Sequence, residues 1–265
     1  MNRIDLTKVS HSVKIGEMCP DYPVNVSDDC ILFDDGVAVG FFLKQLPDKM
    51  ANLAGIANAE LRSSRVPKNE MKRNTNDGKD EKTGKYKYKN VVKQYSTILG
   101  GVPPKPHMQR AYATTSSVHA VESAKTFIRA MWLLAEESEK LIEEIMPEQY
   151  QRQKTIFQSV PKKWKFANLF TSSISNFNIS AGYHRDTGNI PNTVNVIITK
   201  RKDSTGGNLN VPDYGATFDQ CDNSILVYPA WRNVHGVTPI VPTKKGGYRN
   251  SLVFYPLRAF LKAGK

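Results

Sequence analysis

The sequence is poor in cysteine and has no long hydrophobic run. Its three cysteines, Cys19, Cys30 and Cys221, are odd in number, far apart and without a CxxC spacing. This pattern argues against a disulfide framework and against a structural zinc site. No apolar stretch approaches the roughly 20 residues that span a membrane, and the opening MNRIDLTKVSHSVK lacks the apolar core of a signal peptide. We therefore expect an intracellular, soluble protein with no membrane partner.

Internal repeats and low-complexity tracts are also absent, and the composition is that of a folded protein. The chain has 265 residues, of which 40% are hydrophobic and 23% charged. Such a chain can bury a sizeable core, which excludes disorder of the whole protein. We expect one domain over residues 1–265, with supporting elements in residues 1–165 and a β-rich core in residues 166–260.

Basic residues exceed acidic ones, 37 to 25, and the excess is concentrated. Residues 62–95 hold eleven Lys or Arg and four Asp or Glu, and residues 244–265 hold six basic residues and no acidic one. The middle of the first segment predicts a long surface loop in which Tyr86 and Tyr88 alternate with lysines. Such a loop can follow phosphates and stack on bases, which suits a nucleic-acid partner. A solvated loop without a partner explains the pattern equally well.

The first half of the chain predicts a hairpin and a helix. Residues 31–43, ILFDDGVAVGFFL, predict two short strands around an Asp35-Gly36 turn. Residues 47–61 have a helical composition with proline at the start. Residues 100–110, GGVPPKPHMQR, are too rich in proline and glycine for regular structure.

A long helix is predicted from caps at Ser116 and Ser117 to about Met146, where Pro147 ends it. Its apolar stripe and its acidic face indicate a scaffold element that faces away from nucleic acid. The stripe consists of Phe127, Met131, Leu134, Leu141 and Ile145, and the acidic face consists of Glu136, Glu137, Glu139, Glu143 and Glu144.

The chain becomes β-rich after residue 166. Short runs of strand-forming residues alternate with turn signals, which predicts a sandwich, barrel or jelly roll. Helices first and strands later give the class α+β with a β-barrel core. The predicted strands cover residues 194–199, 208–211, 224–228, 235–241 and 251–255.

Two histidines and an aspartate in the β-rich half form a candidate metal site. His184 and Asp186 are two residues apart, so in an extended segment their side chains project to the same face. His235 lies at the start of another predicted strand. Two histidines and one carboxylate make up the facial triad of non-haem Fe(II) oxygenases. Taken alone, the two histidines are better explained as ordinary half-buried residues.

A second pair of residues supports the metal site. Arg249 and Ser251 follow His235 in the last predicted strand, again at i and i+2. An arginine and a hydroxyl on one strand face can bind a carboxylate of a dicarboxylic acid. A His-x-Asp motif, a later histidine and then an Arg-x-Ser motif, in this order, occur together by chance much more rarely than each motif alone.

This order of residues resembles that of the Fe(II)/2-oxoglutarate dioxygenases, and more narrowly the TET/JBP family. That family oxidises the 5-methyl group of pyrimidine bases in DNA. The resemblance extends over most of the chain. Its blocks are ILFDDGVAVGFFLKQLP, GGVPPKPHMQRAYATTSS, HRDTGNIPNTVNVII, GGNLNVPDYGATF, LVYPAWRNVHGVTPI and YRNSLVFY.

The resemblance implies a double-stranded β-helix (jelly-roll) core with N-terminal helices packed against it, and a role for several residues. His184, Asp186 and His235 would bind Fe(II), and Arg249, with help from Ser251, would bind 2-oxoglutarate, which reacts with O2. Asn189 matches a position that contacts the target base, although a plain loop residue is an equal interpretation. Arg110 would face DNA or the cosubstrate, or is a surface charge.

The implied reaction is hydroxylation of 5-methylcytosine in DNA, with possible further oxidation, by a protein that we expect to be monomeric. The alternatives are thymine in DNA as the substrate, or an oxygenase acting on RNA, protein or a small molecule. A remote alternative is a non-catalytic jelly roll that binds nucleic acid. An asparagine at position 189 serves cytosine or thymine equally, because its amide can flip.

Overall fold

The computed structural model describes residues 1–71, 76–79, 82, 86–88, 94–105 and 110–261. The strands, in chain order, are β1 (Asn2–Asp5), β2 (Cys30–Asp34), β3 (Val37–Leu43), β4 (Asn69–Glu70), β5 (Asn76–Lys79), β6 (Tyr86–Tyr88), β7 (Tyr95–Val102), β8 (Thr114–Thr115), β9 (Ser172–Phe177), β10 (Ala181–His184), β11 (Asn195–Lys202), β12 (Ser204–Gly206), β13 (Leu209–Val211), β14 (Ala216–Phe218), β15 (Ile225–Tyr228), β16 (His235–Val237), β17 (Ile240–Pro242) and β18 (Tyr248–Tyr255). The α-helices of the described residues are α1 (Asp48–Arg62), α2 (Lys125–Ile145) and α3 (Pro147–Phe157).

Two sheets form the β core. The large sheet has the order β1-β2-β3-β15-β11-β18-β9-β7-β4, with β8 added to β7, and the small sheet has the order β10-β16-β13-β14. Strands from the first third of the chain thus share one sheet with strands from its end. Two further pairs, β12 with β17 and β5 with β6, stand apart from both sheets.

The large sheet lies between the small sheet and the helices. Val196 and Ile198 of β11 belong to the hydrophobic cluster that includes α1 and α2. Ile197, between them, belongs to a second cluster with Leu209 and Phe218 of the small sheet. Successive residues of a strand point to opposite faces. Both faces of the central strands are therefore covered, which explains their uninterrupted apolar runs.

The predicted hairpin and first helix are present. β2 and β3 are antiparallel, and Asp35 and Gly36 between them have φ angles of 50° and 76°. Two positive φ angles in a two-residue hairpin loop are typical of a type I′ turn, which Asp-Gly favours. The helix predicted at 47–61 is α1, and Pro47 directly precedes it.

The second helix begins later than predicted. Ser116 does accept a hydrogen bond from the Val118 amide, but it caps a short 3-10 turn, and a second such turn follows before α2 starts at Lys125. Val121, between the two turns, has extended backbone angles that interrupt the helix. Pro147 ends α2 and also starts α3, which the sequence interpretation missed because α3 buries two glutamines and lacks a clear apolar stripe.

Glu139 differs from its neighbours on the predicted acidic face of this helix. Its side chain is buried, and its carboxylate accepts hydrogen bonds from the Asn168 amide at 2.6 Å, the Leu169 amide at 2.7 Å and Asn168 Nδ2 at 2.9 Å. Burial raises the pKa of Glu139, and these hydrogen bonds oppose the rise. The residue ties α2 to the segment that leads into β9.

Every strand predicted for the β-rich half is present, one of them is split, and four further strands, β9, β10, β12 and β14, were not predicted. The run at 235–241 is split into β16 and β17, because Thr238 and Pro239 separate a strand of the small sheet from one that pairs with β12. The Pro/Gly-rich segment is also partly regular, since Gly100, Gly101 and Val102 belong to β7. The expected class, α+β with a jelly-roll core and helices packed against it, is confirmed.

Part of the predicted basic loop, namely residues 72–75, 80–81, 83–85 and 89–93, lies outside the described residues. Its contacts with nucleic acid therefore stay a prediction. Within the described part of the chain, no helix has both the length and the hydrophobicity needed to cross a membrane.

Replacing Leu134 by alanine tests the packing of α2. Leu134 is fully buried among the helices and the large sheet, so its truncation should lower the free energy of unfolding by about 2–5 kcal/mol. Chemical denaturation measures this change, and Glu144→Ala on the exposed side of the same helix is the control. An equal effect of the two variants would contradict the described orientation of α2.

Candidate metal centre

Two neighbouring strands of the small sheet bring His184 and His235 together. His184 is the last residue of β10 and His235 the first of β16, and the two are directly paired in the antiparallel register. Their rings lie 4.3 Å apart, centroid to centroid. Asp186 follows β10 by two residues, and its Oδ1 is 3.7 Å from His184 Nε2. One ligand atom from each of the three residues lies within 4.8 Å of the others, close enough to share one metal ion.

Backbone carbonyls orient both imidazole rings. Nδ1 of His184 donates to the Gly182 carbonyl at 2.8 Å, and Nδ1 of His235 donates to the Asn233 carbonyl at 3.1 Å. Each hydrogen bond places the ring proton on Nδ1 and leaves the Nε2 lone pair free for a metal. The donor set and its orientation fit an Fe(II) ion.

His235 is buried, and this sets its protonation. Burial, followed by the nearby charge of His184, lowers the pKa of His235 to about 4. At neutral pH the ring is therefore uncharged, as metal binding requires. Asp213 fixes the segment before His235, because its Oδ2 accepts from Asn233 Nδ2 and from the Val234 amide, each at 3.0 Å.

A chain of two amides supports Asp186. Asn195 Nδ2 donates to Asp186 Oδ2 at 3.0 Å, and Asn189 Nδ2 donates to Asn195 Oδ1 at 2.8 Å. A carboxylate only accepts hydrogen bonds, so Asn195 must present its NH2 group to Asp186 and its oxygen to Asn189. The same logic fixes the Asn189 amide. Asn189 is only 4% exposed.

The predicted carboxylate-binding pair lies on the last strand. Arg249 and Ser251 of β18 are buried and point to the same face of the large sheet, since Leu252 and Phe254 point to the helices on the other. Arg249 Nη2 donates to Gln220 Oε1 at 3.2 Å, whereas its Nε has no partner. Burial, followed by the nearby charge of Arg201, lowers the pKa of Arg249 to about 9. An unpaired buried guanidinium fits a carboxylate ligand.

The contacts of Ser251 and Arg110, two further predicted site residues, lie in different parts of the structure. Ser251 Oγ accepts from Asn176 Nδ2 at 3.2 Å, within the large sheet. Arg110 lies in the turn after β7, where its Nε donates to the Pro103 carbonyl at 2.7 Å. The structure thus brings the metal triad together, connects Asn189 to it through Asn195, and gives Arg110 a partner within its own turn.

Sequence reasoning missed several residues around the site. Asn195 and Arg201 stand six positions apart in β11, so their side chains share the face of Arg249 and Ser251. This even spacing was a usable signal. Tyr228, whose hydroxyl lies 3.3 Å from His235 Nδ1, and Gln220 carried no such signal, because neither is spaced regularly from a predicted ligand.

Comparison with known proteins identifies the class. The model for the oxygenase domain of the 2OGFeDO superfamily, Tet_JBP, matches residues 104–258. The chain is an Fe(II)/2-oxoglutarate-dependent dioxygenase, which takes Fe(II) as cofactor and 2-oxoglutarate and O2 as cosubstrates. Within this class it belongs to the TET/JBP family, since the match covers more than half of the chain.

One of the matching solved structures shows the same fold. NgTET1 in complex with 5mC DNA aligns with a TM-score of 0.59 and 14% identity over 95% of this chain and 84% of that one. A 2OG-Fe(II) oxygenase family oxidoreductase from Burkholderia pseudomallei aligns with a TM-score of 0.47 and 14% identity, over 83% of this chain and 88% of that one. A search of curated proteins finds no match to this chain.

Replacing Asn195 by alanine should weaken metal binding. Loss of its hydrogen bond leaves Asp186 Oδ2 without its amide support, and such outer contacts are worth about tenfold to a hundredfold in metal affinity. Titration with Mn(II) as a stable substitute for Fe(II) measures the change. Thr187→Ala, an exposed residue beside Asp186, is the control. Unchanged affinity in Asn195→Ala would contradict this supporting role.

Proposed function

We propose that this protein hydroxylates the 5-methyl group of 5-methylcytosine in DNA. The observation that carries the proposal is the asymmetry of the site. The His184 and Asp186 side chains are 42% and 34% exposed, whereas Arg249 is 2% exposed. A small cosubstrate can thus be enclosed at the buried end while a large substrate reaches the metal from outside.

The roles of the site residues follow from this asymmetry. His184, Asp186 and His235 would hold Fe(II), and Arg249, with Ser251 beside it, would bind the distal carboxylate of 2-oxoglutarate. When bound, the iron and its cosubstrates supply the oxidation of a C–H bond to an alcohol. The protein's own part is to orient the ligands through the carbonyls and amides described above, and to leave one side of the metal open.

The surroundings of the open side support a polyanionic substrate. Arg185 lies between His184 and Asp186 in the sequence, directly after β10, and is exposed. It lines a cleft of about 310 Å³ together with Lys8 and Arg232. Arg232 is paired with Asp34 at 2.6 Å, and Asp213, which also lines the cleft, is 2.8 Å from His11 Nε2. Of the cations that line the cleft, Lys8 and Arg185 have no carboxylate partner among the described residues. These cations can meet phosphates next to the metal.

DNA must change shape to reach this metal. A methyl group within a base-paired stack cannot approach a metal that is ligated inside a cleft. We therefore expect the target nucleotide to be flipped out of the duplex, as other enzymes that modify bases require. In the 14%-identical NgTET1 structure the bound molecule is 5mC DNA, which supports a DNA substrate here.

The orientation of Asn189 favours cytosine over thymine. Its NH2 group is used by Asn195, so the group left for a base is the carbonyl oxygen. An acceptor suits the 4-amino group of 5-methylcytosine and does not suit the 4-carbonyl of thymine. The amide chain from Asp186 thereby prevents the flip that would let asparagine serve both bases. This interpretation gives Asn189 the base contact predicted from the sequence.

Mass spectrometry of nucleosides tests the reaction. After incubation with protein, Fe(II), ascorbate and 2-oxoglutarate, DNA that carries 5-methylcytosine should gain one oxygen on that base, and DNA with thymine alone should gain none. His184→Ala and Asp186→Ala should each abolish both product and succinate, because each removes a metal ligand. Thr187→Ala is the control for the same segment.

The other outcomes distinguish the alternatives. Oxidised thymine would overturn the assignment of Asn189. Succinate without any modified DNA base would move the substrate to RNA, protein or a small molecule, which the same fold accommodates. Absence of both products would favour a non-catalytic nucleic-acid-binding protein.

The basic segment provides a separate test of the DNA partner. Residues 79–93 contain six lysines, and each lysine that neutralises a phosphate contributes about one unit to the salt dependence of binding. Exchanging all six for glutamine should weaken DNA binding and reduce the slope of log Kd against log salt. Neutralising Lys49, Lys125 and Lys140 on the helices is the control. An unchanged slope in the six-lysine variant would show that the segment makes no phosphate contacts.

A further inference from the structure

A second arginine lies beside Arg249 in the interior of the fold. Arg201 of β11 is the direct cross-strand partner of Arg249 of β18 in the antiparallel register. Side chains at such paired positions lie on the same face, with Cβ atoms about 5 Å apart. Two guanidinium groups are therefore held side by side, and their proximity is one cause of the lowered pKa of Arg249.

No carboxylate neutralises this pair. Among the described residues, neither guanidinium has an Asp or Glu oxygen within ion-pair distance. Arg201 Nη2 donates to the Gly206 carbonyl. Burial lowers the pKa of Arg201, and the charges of two nearby acids, Asp219 and Asp222, oppose the fall without forming an ion pair with its guanidinium. Asp222 is used by the Arg201 backbone amide and by Lys200. Two like charges placed together without an ion-pair partner, one buried and one half-buried, are unfavourable unless an anion completes the site.

Three buried donors around this pair have no acceptor. They are Nε of Arg201, Nε of Arg249 and Nε2 of Gln220. The orientation of the Gln220 amide is fixed, because its Oε1 accepts from Thr199 Oγ1 at 2.7 Å and from Arg249 Nη2 at 3.2 Å. A flip of the amide would lose both hydrogen bonds. Buried donors are almost always paired, so three donors on and beside one arginine pair, without an acceptor among the described residues, point to a missing acceptor with several oxygens.

The Gly206-Gly207 turn packs closely against the two arginine side chains. Gly207 has a φ of 66°, and a Cβ there would lie 3.2 Å from Cγ and Cδ of Arg249. A side chain at this position would crowd the arginine against β18. The Gly206-Gly207 turn thus covers the pair closely and contributes one carbonyl to it.

We propose that Arg201 is the second cation of the cosubstrate site and binds, with Arg249, the distal carboxylate of 2-oxoglutarate. The inference rests on the role given to Arg249 above and does not depend on the DNA substrate. It assigns to this chain a site selective for oxo-diacids over oxo-monoacids. In the ligand-free protein the two arginines repel each other, and ligand binding removes that repulsion.

Arg201→Gln separates this role from a merely structural one. In the ligand-free protein the variant should melt about 2–4 °C higher, because it removes the repulsion between half-buried Arg201 and buried Arg249. In the Fe(II)-loaded protein under anaerobic conditions, its affinity for 2-oxoglutarate should fall about tenfold to a hundredfold by calorimetry. Its affinity for 2-oxobutyrate, which lacks the distal carboxylate, should not change. Lys202→Gln, the same charge change at an exposed neighbour, is the control.

Two further variants keep the test decisive. Arg201→Lys retains the charge without the planar fork and should bind 2-oxoglutarate with intermediate affinity, so it provides the binding test even where the glutamine variant fails to fold. Wild-type affinity in either Arg201 variant, together with lost affinity in Arg249→Gln, would overturn the role of Arg201 alone. Wild-type affinity in Arg249→Gln as well would overturn the assignment of the whole cosubstrate site.

Discussion

The pairing of β11 with β18 is the constraint on which the site depends. In this register Val196 and Ile198 point to the helices, while Asn195 and Arg201 point to the small sheet. A shift of one residue would exchange the two faces of a strand. It would move a supporting amide and a cation into the helical core and expose apolar residues to the metal. The apolar packing against α1 and α2 therefore also holds the polar site in place.

A second pairing, between β10 and β16, joins two candidate metal ligands that are distant in sequence. His184 and His235 are adjacent only because their two short strands are antiparallel neighbours in the small sheet. The metal end of the interior is then defined by the small sheet, and the cationic end by the large one. Since His235 and Arg249 are buried while His184 and Asp186 are partly exposed, the two sheets enclose the cosubstrate region and leave the metal accessible on one side.

Features of the fold that depend on local sequence patterns could be predicted from the sequence. The Asp35-Gly36 turn, the apolar stripe of α2 and the short strands after residue 166 follow from periodicity and turn chemistry. The spacing of His184 and Asp186, with His235 and Arg249 at the start of later strands, predicted the ligand set. The register between strands could not be predicted, because it depends on contacts between distant segments. For that reason Asn195, Gln220 and Arg201 were not recognised, and the burial of Glu139 against Asn168 and Leu169 was not predicted.

A crystal structure of the protein with Mn(II) and 2-oxoglutarate would test the central claim most directly. The account predicts one anomalous-scattering peak bound by Nε2 of His184, Nε2 of His235 and a carboxylate oxygen of Asp186. It also predicts density for 2-oxoglutarate that extends from this metal to the guanidinium groups of Arg249 and Arg201. A metal held by other residues, or a cosubstrate whose distal carboxylate lies away from Arg249, would contradict it.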